Sequence, residues 1–169
     1  MGEGEKMEKL LRSVYENKKK MKMCLALSTI CAYSAAVLFI SQLLLHTVEG
    51  KYITLAVVAG MAGVGFVAVT VSRKLVNSKR PYEVYLFYTE PPRTKKGEAH
   101  PSRHCYSASV IAVLGWIVSP WMTLGVGVLA CIISVTRVVT GIHYIRDVIA
   151  GLLLGATFGA LGHLILFLI

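Results

Sequence analysis

Four long runs without a charged residue constrain the fold of this 169-residue chain more than any other feature. They are residues 23–45, 52–72, 105–136 and 148–169. About 20 apolar residues are enough for a helix to cross the hydrocarbon core of a bilayer. Only 16% of the residues are charged and 55% are hydrophobic, which leaves too little polar surface for a soluble domain. We predict an all-α, polytopic membrane bundle.

The longest run decides the number of spans. Residues 105–136 are long for one helix, and Ser119-Pro120-Trp121 near their middle is typical of a turn with an interfacial aromatic residue. We therefore predict two short spans here and about five transmembrane helices in total. This choice also returns Arg137 to the side of the membrane on which His104 lies.

Glycines at short intervals in the second span allow close approach of a neighbouring helix, and those at four-residue spacing in the last span are typical of a helix-packing stripe. The positions are Gly60, Gly63 and Gly65 in the second span and Gly151, Gly155 and Gly159 in the last.

The beginning of the chain, residues 1–22, is basic and precedes the single membrane domain predicted for residues 23–169. Because it is polar and the run after it is long enough to span, we do not interpret it as a cleavable signal peptide. Two interpretations stay open, an amphipathic helix lying on the bilayer surface or a solvated juxtamembrane tail. The helical interpretation rests on the spacing of Met7, Leu10, Leu11, Val14 and Tyr15.

The net charge of +9 does not indicate nucleic-acid binding. Basic residues at membrane ends are attracted by anionic lipid headgroups, and no basic domain with interleaved aromatic residues is present in the sequence. The spacings of the four cysteines match neither a zinc site nor a disulfide framework. We expect membrane lipids as partners, and the sequence does not indicate an oligomeric state.

With five spans, three polar clusters meet at one face of the membrane: residues 73–81, 101–104 and 136–147. In the third, His143 and Asp147 are four residues apart and would share one face of a helix. A carboxylate there can accept a hydrogen bond from one imidazole nitrogen and leave the other basic. The pairing alone is a weak signal, so its interpretation depends on the other two clusters.

These clusters bring cations together with a second histidine, His104. Converging guanidinium groups predict an anion, and phosphate fits their forked donors best. Ser102 is expected to cap the third span, whose free backbone N–H groups would face the same anion. The excess of positive charge argues against a divalent metal ion, so we expect neither a metal nor a cofactor. The candidate phosphate-binding cations are Arg73, Lys74, Arg80, Arg103 and Arg137.

The order and spacing of three motifs resemble the signature of the type 2 phosphatidic acid phosphatase superfamily, and the short chain is similar to its small bacterial members. The motifs are Arg73-x6-Arg80-Pro81, Pro101-Ser102-x-His104 and Thr136-Arg137-x5-His143-x3-Asp147. The resemblance implies a metal-independent phosphohydrolase that forms a phosphohistidine. It implies that His143 is the nucleophile, Asp147 its orienting carboxylate and His104 the general acid. The phosphate would be held by Arg73, Arg80, Arg137 and Ser102.

The sequence departs from the family pattern at several points. The first motif usually begins with lysine, so Lys74 remains a candidate beside Arg73. Arg103 stands where the family usually has glycine, and its side chain would either crowd the phosphate or add a donor. Thr136 replaces the usual serine. The family also usually has six spans rather than five.

The function predicted from these residues is removal of phosphate from a lipid phosphate or diphosphate, of the phosphatidate, phosphatidylglycerophosphate or isoprenoid diphosphate class. Two alternatives stay open. One is a lipid phosphotransferase that uses the same intermediate. The other is a non-catalytic membrane protein that binds anionic lipids, although such a protein would not need His143 or Asp147.

The predicted location is the bacterial plasma membrane, with the active site at the membrane surface. The resemblance implies an extracytoplasmic site. The charge distribution favours a cytoplasmic one, because only Lys51 among the lysines and arginines falls on the opposite side. We favour the cytoplasmic side.

Overall fold

A computed structural model describes residue 14, residues 17–84 and residues 95–169 of the chain. The described residues form helices and contain no strand, so the prediction of an all-α fold is confirmed. In chain order the helices are α1 (Lys18–Val48), α2 (Tyr52–Val76), α3 (Pro81–Val84), α4 (Arg103–Gly115), α5 (Pro120–Val139) and α6 (Ile145–Leu168).

Four of these helices, α1, α2, α5 and α6, are long and apolar enough to cross a membrane. The predicted break in the longest run is present, since a new helix, α5, begins at Pro120. Ser119 is its N-cap, and the Ser119 hydroxyl accepts the N–H of Met122 at 3.1 Å. The remaining predicted span, α4, has 13 residues. At a rise of about 1.5 Å per residue it is roughly 20 Å long, shorter than the hydrocarbon core. Most of its side chains are buried, so α4 forms the centre of the bundle.

The first helix begins earlier than the predicted domain boundary between residues 22 and 23. Asn17 is its N-cap, and the side-chain oxygen accepts the N–H groups of Lys19 and Lys20. Lysine is a good helix former and asparagine a preferred cap, so the basic end of the segment continues into α1. Apart from residue 14, the proposed surface helix upstream of Asn17 lies outside the described residues.

The glycine stripe of α6 packs against α4, as predicted. A Cβ atom at Gly155 would lie 2.5 Å from the Tyr106 carbonyl oxygen, and one at Gly151 would lie 2.5 Å from the Ser102 carbonyl oxygen. At Gly159 it would lie 2.6 Å from the Cβ of Val113. These distances are too short for real Cβ contacts, so the two helices can approach this closely only because these positions are glycine.

In α2, only one of the three glycines is closely packed in the part of the chain that the structure describes. A Cβ atom at Gly60 or Gly63 would meet nothing within 4 Å, whereas at Gly65 it would collide with the Tyr106 hydroxyl. The helices next to this face of α2 do not close on Gly60 and Gly63, and Gly63 instead lines a cavity. Glycine spacing shows that close approach is possible but does not show that a neighbour is there.

Candidate active site

The polar residues gather where four helix ends meet. The C-terminal ends of α2 and α5 and the N-terminal ends of α4 and α6 lie at the same end of the bundle, because the spans alternate in direction. The backbone N–H of Ser102, at the start of α4, donates to the Asp147 carbonyl oxygen in the first turn of α6 at 2.9 Å. The second and third sequence clusters are therefore in direct contact.

The segment after α2 fixes the segment before α4. Ser78 accepts the N–H of Ala99 on its carbonyl oxygen at 2.9 Å and the N–H of His100 on its hydroxyl at 3.0 Å. The Glu83 carboxylate accepts the N–H groups of Arg80 at 2.9 Å and Gly97 at 2.8 Å. These bonds join the first and second clusters.

A tight turn after α5 brings Arg137 next to His143. Gly141 has a positive φ of 59°, a conformation that glycine adopts without steric cost. The Arg137 carbonyl oxygen then accepts the N–H groups of Ile142 at 3.1 Å and His143 at 3.2 Å. This turn holds the two site residues in one loop.

His143 and Asp147 form a buried pair. The imidazole Nδ1 lies 3.8 Å from the carboxylate Oδ2, with His143 3% exposed and Asp147 fully buried. This distance exceeds that of a hydrogen bond. The same Oδ2 accepts the backbone N–H of Tyr144 at 2.9 Å, as in a capping box at the start of α6. The carboxylate thus faces Nδ1, which leaves Nε2 as the nitrogen away from it.

The structure adds a third histidine that sequence reasoning missed. The Nδ1 of His100 lies 3.0 Å from the Asp147 Oδ1, within hydrogen-bonding distance. The two residues are 47 positions apart, so no local spacing could indicate the contact. The one available signal was the position of His100 next to Pro101, at the edge of the second motif.

Two arginines of the first motif are buried and point toward the segment before α4. Arg73 donates from Nη1 to the Pro101 carbonyl oxygen at 2.6 Å, and Arg80 donates from Nε to the Gly97 carbonyl oxygen at 2.9 Å. Lys74, by contrast, is exposed. Arg73 and Lys74 are the two candidates for the first position of the first motif. The structure brings Arg73, and not Lys74, into the cluster.

His104 lies in the first turn of α4 and is exposed at the site. Arg137, His143 and Arg103 lie within electrostatic range of it, so the predicted general acid is in the same region as the predicted nucleophile and two of the predicted cations. Arg73 in turn interacts with Arg103, Arg80 and Asp147. Apart from Lys74, the charged residues predicted for the site therefore lie in one cluster.

The second motif differs in detail from the prediction. Ser102 occupies the N-cap position of α4 and is fully buried, but its side chain makes no capping hydrogen bond. Its backbone N–H donates to the Asp147 carbonyl oxygen at 2.9 Å, which links the start of α4 to α6. Arg103 extends toward α2, with its guanidinium carbon 5.9 Å from the centroid of the Phe66 ring, a cation–π distance.

The environment of His143 favours its neutral form. Burial lowers the pKa of the imidazole below its ordinary value, and the positive charges of Arg80 and Arg73 lower it further. The neighbouring Asp147 opposes this shift without reversing it. A neutral imidazole has a free electron pair, so the site holds His143 in the form that a nucleophile requires.

The arrangement suits an anion better than a metal ion. Among the described residues, no group of three histidine, cysteine, aspartate or glutamate side chains is placed to hold a metal. Arg73 and Arg80 instead lie close enough to His143 and Asp147 to act on them electrostatically, and such a concentration of positive charge suits an anion.

Comparison with known proteins agrees with this geometry. Residues 51–168 match the model of the PAP2 superfamily. The fold is similar to that of LpxE from Aquifex aeolicus, with a TM-score of 0.65 and 18% identity over 92% of this chain and 93% of that one. It is also similar to a transmembrane PAP2-type phosphatidylglycerolphosphate phosphatase from Bacillus subtilis, with a TM-score of 0.52 and 16% identity over 96% of this chain and 93% of that one.

These identities are low, so the two structures support the fold alone. No curated protein sequence matches the chain. The family match, however, covers well over half of the residues and includes all three motifs and most of the helical scaffold around them. The protein is therefore an integral membrane member of the PAP2 superfamily, whose members are phosphatases.

Proposed function

We propose that this protein hydrolyses a lipid phosphate or diphosphate through a phosphohistidine on His143. The observation that carries the proposal is the buried His143–Asp147 pair, at 3.8 Å, inside a cluster of arginines. A non-catalytic lipid-binding protein would need the arginines, but it would gain nothing from a neutral histidine beside a buried carboxylate.

In the first step, Nε2 of His143 attacks phosphorus while the bond from phosphorus to the leaving oxygen breaks. Asp147, next to Nδ1, stabilises the positive charge that develops on the imidazole ring. His104 donates a proton to the leaving oxygen. Arg73, Arg80 and Arg137, together with Ser102 and the nearby backbone, hold the phosphoryl oxygens and stabilise their charge in the transition state.

In the second step, water attacks the phosphohistidine. His104, now without its proton, accepts one from the water molecule, and the bond between phosphorus and Nε2 breaks. This step releases inorganic phosphate and restores both histidines. The same two groups therefore act in both half-reactions, with His104 changing from acid to base.

A lipid substrate is supported by an apolar cavity that opens beside His104. The cavity has a volume of about 370 Å³ and is lined by Ala32, Ala36, Phe66, Arg103 and Ile111 among others. A second apolar cavity of about 460 Å³ shares Ala36, Phe66 and Ile111 with the first and continues toward the middle of α2. A lipid tail could lie in this groove while its phosphate reaches the arginines. Phosphatidate, phosphatidylglycerophosphate and isoprenoid diphosphates all satisfy this arrangement.

The test is release of phosphate by purified protein in detergent from a panel of these lipids, labelled in the terminal phosphate. We expect turnover of at least one, unaffected by EDTA and inhibited by vanadate, since the trigonal-bipyramidal oxyanion fits the arginines and His143. Label should also appear on wild-type protein but not on His143→Ala protein. His163→Ala is the matched control, because His163 lies far along α6 and contacts the Val113 carbonyl oxygen.

Three results would count against the proposal. Turnover by folded His143→Ala protein would contradict the covalent route. Activity lost in EDTA and restored by Mg²⁺ would contradict metal independence. Label transferred to an acceptor lipid instead of released as phosphate would identify a phosphotransferase.

We further propose that the site faces the cytoplasm of a bacterial plasma membrane. The support is the charge distribution, since the basic α1 start and the loops before α4 and α6 share one end of the bundle. Single cysteines replacing Lys95 or Lys96, both exposed, would be probed on intact cells in a background without the native cysteines. A membrane-impermeant thiol reagent should fail to label them, and rapid labelling would place the loop outside.

A further inference from the structure

Asp147 has two side-chain hydrogen bonds, and neither is to His143. Its Oδ1 lies 3.0 Å from Nδ1 of His100, and its Oδ2 accepts the Tyr144 N–H at 2.9 Å. His143 lies 3.8 Å from Oδ2. Because an ionised carboxylate only accepts hydrogen bonds, Nδ1 of His100 carries the proton in its contact with Oδ1.

The backbone around His100 is fixed on both sides of the residue. Its N–H donates to the Ser78 hydroxyl at 3.0 Å. The carbonyl oxygen of the following residue, Pro101, accepts a hydrogen bond from the Arg73 guanidinium. Ser102 then donates its N–H to the Asp147 carbonyl oxygen at 2.9 Å. Residues 100–102 therefore hold Asp147 at both its side chain and its backbone.

We propose that His100 is a positioning residue that acts on the nucleophile through Asp147, an inference that rests on the proposed function. Its hydrogen bond to Oδ1 fixes the rotation of the carboxylate about the Cβ–Cγ bond, so that Oδ2 faces Nδ1 of His143. The Tyr144 N–H alone holds only one carboxylate oxygen. The other neighbour of Oδ1, the Arg146 Nε, is 3.8 Å away on a side chain that is 70% exposed, so it orients the carboxylate weakly.

The experiment compares His100→Leu, which removes the donor, with His100→Asn, which can place an amide N–H near the position of Nδ1. With the lipid phosphate on which the wild-type protein is most active, we expect His100→Leu to lower kcat by roughly 10- to 100-fold with KM nearly unchanged, the size of loss that misorientation of a catalytic group causes. His100→Asn should recover most of that loss. His163→Leu removes a histidine hydrogen bond elsewhere and serves as the control for stability.

A double-mutant cycle separates positioning from a general structural role. In an Asp147→Asn background, His100→Leu should cause little further loss in the single-turnover rate of His143 phosphorylation, because its effect passes through the carboxylate. Equal losses in both backgrounds, or a rise in KM with unchanged kcat, would overturn the inference. So would full activity of His100→Leu protein, a result that would leave the proposed function intact.

A readout without substrate completes the test. The ¹⁵N NMR signals of His143, assigned by their loss in His143→Gln protein, should shift in His100→Leu protein and return toward the wild-type positions in His100→Asn protein. Signals that do not move in His100→Leu protein would contradict coupling between the two histidines, whatever reaction the protein catalyses.

Discussion

The two sides of the short central helix α4 differ sharply in how closely they are packed. Toward α6, the glycines of the stripe let Cys105, Ser109 and Val113 approach until no Cβ atom fits between the helices. The Ser109 hydroxyl also donates to the Leu152 carbonyl oxygen at 2.8 Å. Toward α1 and α2, the face that carries Arg103 and Ile111 lines cavities of about 370 and 460 Å³.

The two faces of this 13-residue helix therefore have different roles. On the packed side, α4 and α6 hold the second motif against Asp147, so the groups proposed for catalysis keep fixed positions. On the open side, an apolar groove leads from His104 between α1 and α2, where a flexible lipid tail needs space rather than fixed contacts. The following predictions test that division of roles.

The largest effect is expected from filling the packed side. Gly155→Leu would drive a side chain into the Tyr106 backbone, where even a Cβ atom would be 2.5 Å from the carbonyl oxygen. We expect loss of folded protein and of phosphatase activity, since overpacking typically costs about 1–3 kcal/mol and backbone cannot move aside easily. Thermal unfolding in detergent and size-exclusion chromatography measure the loss of folded protein. Gly60→Leu, at a position with no neighbour within 4 Å, is the matched control and should be tolerated.

Filling the open side should instead change substrate preference. Ala36 lines both cavities, so Ala36→Phe would place a ring in the groove, whose lining does not include Arg73 or Arg80. We expect KM for a long-chain lipid phosphate to rise about tenfold, a size typical of one misfitted apolar group, while a short-chain phosphate ester is hardly affected. The exposed Ala56 offers a control, Ala56→Phe. Equal losses for long and short chains would show that the groove does not bind the tail.

The burial of His143 on the packed side predicts the pH dependence. Its pKa is lowered, chiefly by burial, so the neutral nucleophile persists below the ordinary histidine value of about 6.5. Protonation of His143 should remove activity only as the pH falls below that value. The measurement is kcat/KM against pH under conditions where the protein stays folded. An acidic limb centred above about 6.5 would contradict the assignment of His143 as a buried, neutral nucleophile.

The smallest effect is expected from Arg103, on the open side. Its guanidinium lies over the Phe66 ring at the mouth of the groove and not within the hydrogen-bonded frame around Asp147. Arg103→Gly should therefore raise KM or alter headgroup preference by several-fold while kcat changes little. Arg103→Lys keeps the positive charge, so its KM should lie between the values of the wild-type and Arg103→Gly proteins. Unchanged kinetics across several headgroups would assign Arg103 no part in substrate recognition.

The sequence by itself determined the features that depend on local pattern. Long apolar runs require helices in a membrane, because every backbone polar group there must be bonded within its own segment. Ser119-Pro120 interrupts the longest run at the position where α5 begins, and Gly141 supplies the turn before His143. The four-residue interval keeps the side chains of His143 and Asp147 within 3.8 Å of each other, but His143 lies before the first residue of α6, so the predicted shared helix face is not formed.

Only the tertiary structure decided which side chains meet across helices. It turned Arg73 inward and left Lys74 exposed, it left space beside Gly60 and Gly63 among the described residues, and it placed His100 against Asp147. The physical reason is that residue spacing fixes which side chains share a face of one helix. Which element covers that face depends on how all the helices pack together, and the contact between His100 and Asp147 joins positions 47 residues apart.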